Sequence, residues 1–282
     1  DLLSTHATKD CTLRDAIEVA NNTAGDDIIR VDAQLGKSGS TSVSPRAAEV
    51  SVACTGPAED DNLCGDLDMF DDDPGTTLTI EGVGSGTPTI RSTLPTASGE
   101  RVLHAVASGG SKNAVHLVLE GLDVLDGREE LPTGRSVGGG CIATESTDLT
   151  LTNTQVGNFI MGVSGAGMGT VYAAGSPGGG ALYVGGDLTM TDSRIFQSET
   201  AEADGGAVHA TGDVALTDSA IVGSRTLYRG DGGGLYASGT AATVTISGVY
   251  TTSFDEGLTS NSAQGSGGGL WLDVASVDLT DT

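Results

Sequence analysis

The phrase Gly179-Gly180-Ala181-Leu182-Tyr183 decides the fold of this chain, because close copies of it return three times. The copies begin at Gly205, Gly232 and Gly267, at intervals of 26, 27 and 35 residues, and each ends in an aromatic or imidazole side chain. A weaker copy is Gly138-Gly139-Gly140-Cys141-Ile142. A glycine turn that recurs at such intervals predicts one stacked repeat array, and not a set of separate globular domains.

Each copy is followed by a stretch in which apolar and polar residues alternate. These stretches are Leu149–Thr152, Leu188–Thr191, Val214–Thr217, Val244–Ser247 and Val277–Thr280. Alternation with a period of two indicates β-strands. Turn-forming residues then recur at one position, in Glu81-Gly82, Glu120-Gly121, Asn153-Thr154, Asp192-Ser193, Asp218-Ser219 and Ser247-Gly248, where a repeating coil needs corners. The pattern predicts an all-β solenoid of the parallel β-helix type.

Composition narrows the range of partners. The chain has 282 residues, 44 of them Gly, and its net charge of -25 comes from 13 Lys+Arg against 38 Asp+Glu. This balance disfavours nucleic acids and anionic membrane surfaces, which need clustered basic residues. It favours solubility and supplies carboxylates for divalent cations. No apolar run is long enough for a membrane span.

The front of the chain differs from the repeats. Thr12-Leu13-Arg14-Asp15 predicts a capping box, and the apolar spacing behind it predicts a short helix that ends at Asn21-Asn22 and covers the first coil. Ile28–Val31 is expected to be the first strand, and residues 35–75 an irregular, polar excursion. We therefore divide the chain into residues 1–75, with the cap helix, first coils and acidic Cys-containing loop, and residues 76–282, with the regular coils.

The front also carries a family resemblance. Residues 11–17, Cys-Thr-Leu-Arg-Asp-Ala-Ile, with Ala20-Asn21-Asn22 and residues 26–29 behind them, resemble the CSLREA-type N-terminal domain of bacterial extracellular proteins. Residues 65–68, followed by 78–84, resemble the stretch that comes next in that family. The glycine phrases and alternating stretches are similar to its β-helix coils and, more loosely, to polymorphic outer-membrane repeats.

The resemblance covers nearly the whole chain and implies a fold and a location. It implies a right-handed parallel β-helix with an N-terminal capping helix, secretion or surface display, and an adhesive or structural role. It transfers no catalytic residues. The chain departs from the family pattern at Thr12, where Ser is usual, at Asp15, where Glu is usual, and in the Cys54–Cys64 loop.

The repeat phrase predicts two columns of side chains on opposite faces of the strands. The inward column is assigned Cys141, Leu182, Val208, Leu235 and Leu270. Ile142 is assigned to the outward column. The outward column also contains a ladder that is expected to run across adjacent coils and is formed by Tyr183, His209, Tyr236 and Trp271. Such a ladder either binds sugar rings or a partner surface, or stabilises the coils by stacking.

Cysteines and aspartates suggest two further features. Cys54 and Cys64 are predicted to form a disulfide, Cys141 to be a buried thiol, and Cys11 is left unassigned. A calcium site is a candidate among clustered carboxylates, the alternative being an exposed acidic loop. The residues of this candidate site are Asp60, Asp61, Asp66, Asp68, Asp71 and Asp73.

Catalysis is the less favoured alternative. A lyase on uronic acid polymers needs calcium-binding aspartates with a basic residue, and a glycoside hydrolase needs carboxylates that face one sugar bond. Arg91, Arg101, Arg128 and Arg135 lie close in sequence but without a matching acidic ladder. Asp192 and Asp218 share a register that turn formation already explains.

The sequence therefore favours an exported structural or adhesive protein, either a rigid surface stalk or an extracellular filament or matrix subunit. Its alternatives are a polysaccharide lyase or hydrolase, and a β-helix that binds glycans without catalysis. Val277–Thr282 is a strand with no cap after it, so a further part of a longer protein or another subunit is expected to cover it. A capped start and an open end would let copies stack head to tail into a filament.

Overall fold

The computed structural model describes residues 12–33, 49–52, 66–71, 73–92, 101–106, 113–127, 138–157, 171–173, 178–248 and 257–280. These residues are mostly β-strands in large parallel sheets, with one short helix, α1, at Leu13–Asn21. The predicted capping box is confirmed: Asp15 donates its backbone N–H to Thr12 Oγ1 at 3.1 Å, and Thr12 donates its own to Asp15 Oδ2 at 2.8 Å. Helix α1 buries Leu13, Ile17 and Ala20.

The strands of the first half are β1 Asp27–Asp32, β2 Glu49–Val52, β3 Leu67–Asp71, β4 Thr77–Val83, β5 Thr89–Ser92, β6 Leu103–Ala105, β7 Asn113–Ala114, β8 His116–Glu120, β9 Asp123–Leu125, β10 Ile142–Thr144, β11 Leu149–Thr152 and β12 Gln155–Gly157. The first strand lies where the sequence predicted it. Strands β2 and β3 lie inside residues 35–75, which were expected to be irregular, so that expectation is wrong for these two segments.

The strands of the second half are β13 Val171–Ala173, β14 Leu182–Val184, β15 Leu188–Thr191, β16 Arg194–Phe196, β17 Ser198–Thr200, β18 Val208–Ala210, β19 Val214–Thr217, β20 Ala220–Val222, β21 Arg225–Thr226, β22 Leu235–Ser247, β23 Gly257–Thr259 and β24 Leu270–Thr280. Consecutive strands do not pair with each other. Each strand instead pairs in parallel with its equivalents in the preceding and following repeats.

Three sheets collect these equivalent strands. The largest contains fourteen strands, the second runs β2-β5-β9-β12-β16-β20-β23, and the third runs β13-β17-β21. Strands β10 to β13 therefore form one repeat, β14 to β17 the next, and β18 to β21 the third. Strand β22 joins both halves of the largest sheet because it pairs with β18 and with β19. The exception to parallel pairing is the short contact between β3 and β7.

The core is a stack of apolar columns, one side chain from each repeat. Register pairs the members of one column in turn, and they are Ile80, Leu119, Leu151, Met190, Leu216, Ile246 and Leu279. The first six are between 0% and 8% exposed. Burial of such a side chain contributes about 1.5–3 kcal/mol, so the stack is a main source of stability.

The glycine phrase recurs because its first residue makes a left-handed turn beside a carbonyl group. Gly179 has φ +89°, and a Cβ there would collide with the backbone oxygen of Leu182. Gly205 repeats this geometry against Val208. Glycine is the residue that adopts this conformation without strain. The predicted corners are also confirmed, since Asn153 and Asp218 both have φ +48°.

Part of the acidity joins one repeat to the next. The Asp148 carboxylate accepts the backbone N–H of Asp187 at 2.8 Å, and the Asp187 carboxylate accepts that of Asp213 at 2.8 Å. Asp213 in turn accepts the backbone N–H of Thr243 at 2.6 Å. Charge-assisted hydrogen bonds of this kind are stronger than neutral ones. These aspartates therefore have a structural role at the repeat junctions.

The weak copy of the phrase needs a one-residue correction. Ile142, and not Cys141, pairs with Leu182, so Ala143 is the residue that pairs with Tyr183. Cys141 is nevertheless buried, as predicted, with its Sγ 3.9 Å from the backbone oxygen of Gly157. Burial raises the pKa of its thiol to about 12. The error arose because three consecutive glycines allow two alignments of the turn.

Candidate functional site

One column of the largest sheet connects the two candidate regions. Its members are Asp68, His104, Ala143, Tyr183, His209, Tyr236 and Trp271, each paired with the next across adjacent strands. Their chain neighbours Leu103, Ile142 and Leu182 belong to the main core. Because side chains alternate along a strand, the column lies on the sheet face turned away from that core.

A buried polar group, which we name the front cluster, occupies the first end of this column. It consists of Asp66, Asp68, Arg101, His104 and Glu145. Asp66 and Asp68 are 0% exposed, and His104 is 2% exposed. Asp66 lies just before β3 and Arg101 just before β6, so the parallel pairing of these two strands brings the group together.

The front cluster is organised around the imidazole of His104. Nδ1 lies 3.1 Å from Asp68 Oδ1 and 3.8 Å from Asp66 Oδ2. On the other side of the ring, Nε2 lies 3.3 Å from Glu145 Oε1. Arg101 Nε lies 3.1 Å from Asp66 Oδ2. The imidazole is thus held between carboxylates on both sides, and one of these is also paired with a guanidinium.

The charges around His104 oppose one another. Burial and the nearby Arg101 guanidinium lower its pKa, whereas hydrogen bonds with Asp68 and Glu145 and the charge of Asp66 raise it. The second group prevails, so the pKa of His104 is raised above its ordinary value.

Helix α1 holds the strand that carries the two aspartates. The Asn21 side chain donates to the backbone oxygen of Asp68 at 2.9 Å and accepts the backbone N–H of Phe70 at 3.1 Å. Arg14 donates to the backbone oxygen of Asp66 at 3.0 Å. Helix α1 thus satisfies backbone groups of β3, which supports the covering role predicted for it.

The other end of the column is the predicted ladder: its neighbouring rings are in contact, with the Tyr236–Trp271 pair stacked and the other two pairs tilted by 37–40°. Ring centroids lie 5.5 Å apart between Tyr183 and His209, 4.8 Å apart between His209 and Tyr236, and 4.3 Å apart between Tyr236 and Trp271. Tyr183 is 9% and His209 7% exposed, whereas Tyr236 and Trp271 are partly exposed. Burial lowers the pKa of His209 to about 4, although Asp204 opposes the shift. Ligand binding by these rings stays a prediction.

The aspartates proposed for calcium do not converge on one point in the described structure. Asp66 and Asp68 come together with His104. Asp71 lies on the opposite face of β3 from Asp68, and its Oδ1 accepts the backbone N–H of Asp73 at 2.9 Å. Asp60 and Asp61 fall outside the described residues. Cys54, Cys64 and Cys11 also fall outside them, so the disulfide stays a prediction.

The residues considered for catalysis are dispersed or paired. Arg91 forms a 2.7 Å ion pair with Asp126, and Arg101 is buried against Asp66. Asp192 and Asp218 occupy left-handed corner positions. Arg128 and Arg135 fall outside the described residues. The front cluster contains carboxylates, but Asp66 and Asp68 are fully buried, while Glu145 is partly exposed.

Sequence reasoning missed His104, Glu145 and the involvement of Arg101. The signal available was the placement of two polar residues, Arg101 and His104, around two apolar residues in the segment 101–105. Without a glycine phrase before it, this segment was not aligned with the later repeats, so its place in the column went unnoticed.

Comparisons with protein-family models, with curated proteins and with solved structures found no match to this chain. Within the described ranges, the helix is too short and too polar to cross a bilayer.

Proposed function

We propose that this protein is an exported bacterial structural or adhesive rod: a right-handed parallel β-helix that serves as a surface stalk or as a subunit of an extracellular filament. The observation that carries the proposal is the regular parallel register of the stack, in which equivalent apolar, corner and carboxylate positions recur from repeat to repeat.

Strand β24 presents two exposed apolar side chains at positions that are buried in the neighbouring strand β22. Val277 is 47% and Leu279 is 53% exposed, whereas their register partners Val244 and Ile246 are 0% and 8% exposed. An exposed apolar edge strand is a template for pairing with another strand. A second copy, or a further repeat of the same protein, would bury these side chains as β22 buries those of β19.

The regularity of the stack supports a mechanical role. Columns of apolar residues, of corner residues and of carboxylate-to-backbone hydrogen bonds each recur from repeat to repeat. In such an array every repeat contacts its neighbours along one axis, which produces an extended and stiff body. The enzymatic alternatives receive no comparable support, because two of the three clustered carboxylates, Asp66 and Asp68, are fully buried.

A non-catalytic adhesive role has support from the open end of the ladder. Tyr236 and Trp271 form the closest and most parallel ring pair, at 4.3 Å and 4°, and both are partly exposed. Flat aromatic surfaces of this kind stack on sugar rings and on partner proteins. Loss of glycan or partner binding in a Tyr236→Ala/Trp271→Ala double variant that keeps its fold would support this role, and unchanged binding would exclude it.

The assembly proposal is tested by a lysine on β24. Leu279→Lys places a charge in the exposed apolar column and is expected to reduce assembly at least tenfold, measured by light scattering of the purified chain against concentration. Thr280→Lys is the matched control, because it adds the same charge to the same strand on the opposite face. Equal assembly of the two variants, or a monomeric wild type at all concentrations, would contradict assembly through β24.

A further inference from the structure

We infer that Asp66, Asp68 and His104 form a binding site for a first-row divalent transition metal ion such as Zn²⁺ or Mn²⁺. The site lies at the capped end of the sheet, far along the column from β24, and the inference is independent of the proposed assembly. The three residues have the composition and spacing of a ligand set, and Glu145 and Arg101 contact them from outside it.

The three ligand atoms are spaced as they would be around one ion. All of them lie within 4.8 Å of one another, and His104 Nδ1 is 3.1 Å from Asp68 Oδ1 and 3.8 Å from Asp66 Oδ2. Two ligands that each lie about 2.0–2.2 Å from a metal are about 3–3.5 Å apart. Of the two separations that involve His104, one already fits and the other needs a shift of only a few tenths of an ångström, and the two carboxylates lie within 4.8 Å of each other.

The second observation is the position of Glu145, on the far side of the imidazole. Its Oε1 lies 3.3 Å from Nε2, where it accepts the N–H of the ring. A carboxylate there leaves the Nδ1 lone pair directed at the two aspartates, and it is the usual outer partner of a metal-bound histidine. Three acceptor atoms that converge in a buried space are suited to hold a metal ion between them.

The charges of the cluster suit a divalent ion. Asp66, Asp68 and Glu145 carry three negative charges, and Arg101 supplies one positive charge through its 3.1 Å contact with Asp66. Among these described residues, a divalent ion beside a neutral imidazole balances the remaining two negative charges.

The ligand set favours a transition metal over calcium. Calcium takes six to eight oxygen ligands, whereas one nitrogen and two carboxylates, nearly closed to solvent, suit a smaller ion with fewer ligands. This differs from the calcium site that the sequence suggested, in the ion as well as in the ligands.

The test is metal titration of the full chain after removal of metal by a chelator. Isothermal titration calorimetry with ZnCl₂ is expected to give one zinc ion per chain, with Mn²⁺ binding at the same site and Ca²⁺ binding at least 100-fold more weakly. Failure of the folded wild-type chain to bind zinc would overturn the inference. Calcium binding as tight as zinc binding would also overturn it.

Variants locate the ion. Asp68→Asn and His104→Asn each remove one ligand and are expected to weaken zinc binding at least 100-fold, whereas Glu145→Gln is expected to weaken it by about 10- to 100-fold. Asp71→Asn and His116→Asn are matched controls outside the site and should leave the affinity for zinc unchanged. Circular dichroism checks that each variant is folded. Wild-type affinity in a folded Asp68→Asn variant would place the zinc elsewhere and contradict the assignment.

Discussion

The front cluster and the aromatic ladder occupy the same column of one sheet, yet they shift the pKa values of their histidines in opposite directions. His104 lies between carboxylates that raise its pKa, while His209 is stacked between Tyr183 and Tyr236 and burial lowers its pKa to about 4. The backbone position is equivalent in both, so the difference comes from the side chains of the neighbouring repeats.

This contrast shows how a repeat array diversifies. Parallel register brings equivalent positions of neighbouring repeats together, so one substitution changes the surroundings of the residues on either side of it. Ala143 separates the two regions: it is paired with His104 on one side and Tyr183 on the other. Because Ala143 has neither a polar nor an aromatic side chain, it forms the boundary between the ionic region and the aromatic region.

The largest effect that separates the two regions should come from Arg101→Met. This change leaves the buried Asp66 carboxylate without its guanidinium and is expected to cost about 3–5 kcal/mol in the free energy of unfolding, measured by urea denaturation. Arg30→Met is the control, because the Arg30–Glu81 pair is exposed and worth about 0–1 kcal/mol. A double variant with Asp66→Asn should recover part of the loss. Equal costs for the two single variants would show that the front cluster is not an interdependent ionic group.

The next effect is the pH dependence contributed by His209. Its pKa is lowered from 6.5 to about 4 in the folded chain, so the unfolded chain binds the proton more tightly. The stability that neutral His209 contributes, about 3 kcal/mol, is therefore fully present above pH 6.5. This contribution is lost as the pH falls toward 4. His209→Phe keeps a ring in the stack. In this variant the midpoint of urea unfolding should depend less on pH over this range. An unchanged pH profile in that variant would show that His209 is not buried in its neutral form.

A smaller effect tests the ladder itself. Tyr236 has ring neighbours at 4.8 and 4.3 Å, whereas Trp271 has one, on the Tyr236 side, within the described residues. Since each aromatic pair contributes about 0.5–1.5 kcal/mol, Tyr236→Leu should destabilise the chain by about 2 kcal/mol and Trp271→Leu by about half as much. Chemical denaturation of the two variants measures the ratio. A larger cost for Trp271→Leu would mean that the ladder does not stabilise by stacking from ring to ring.

The sequence predicted the ladder but not the front cluster, for a physical reason. Tyr183, His209 and Tyr236 follow glycine turns that specify their alignment, and register then makes them neighbours. His104 has no such turn before it, and Asp66 and Asp68 lie in a segment whose polar composition suggested a loop. Their burial depends on pairing with β6 and on Asn21 of α1, and neither contact leaves a pattern within the segment itself. Glu145 escaped notice because it lies beyond the end of β10, outside the alternating stretch.

Electron microscopy of the purified chain tests the proposed structural role most directly. We expect unbranched rods of uniform width that are longer than one chain. Their diffraction should show the strand spacing of about 4.8 Å along the rod axis. Leu279→Lys should shorten these rods while Thr280→Lys leaves them intact. Single particles of one chain at every concentration, or a strand spacing perpendicular to the axis of any fibre, would contradict assembly by continuation of the sheet.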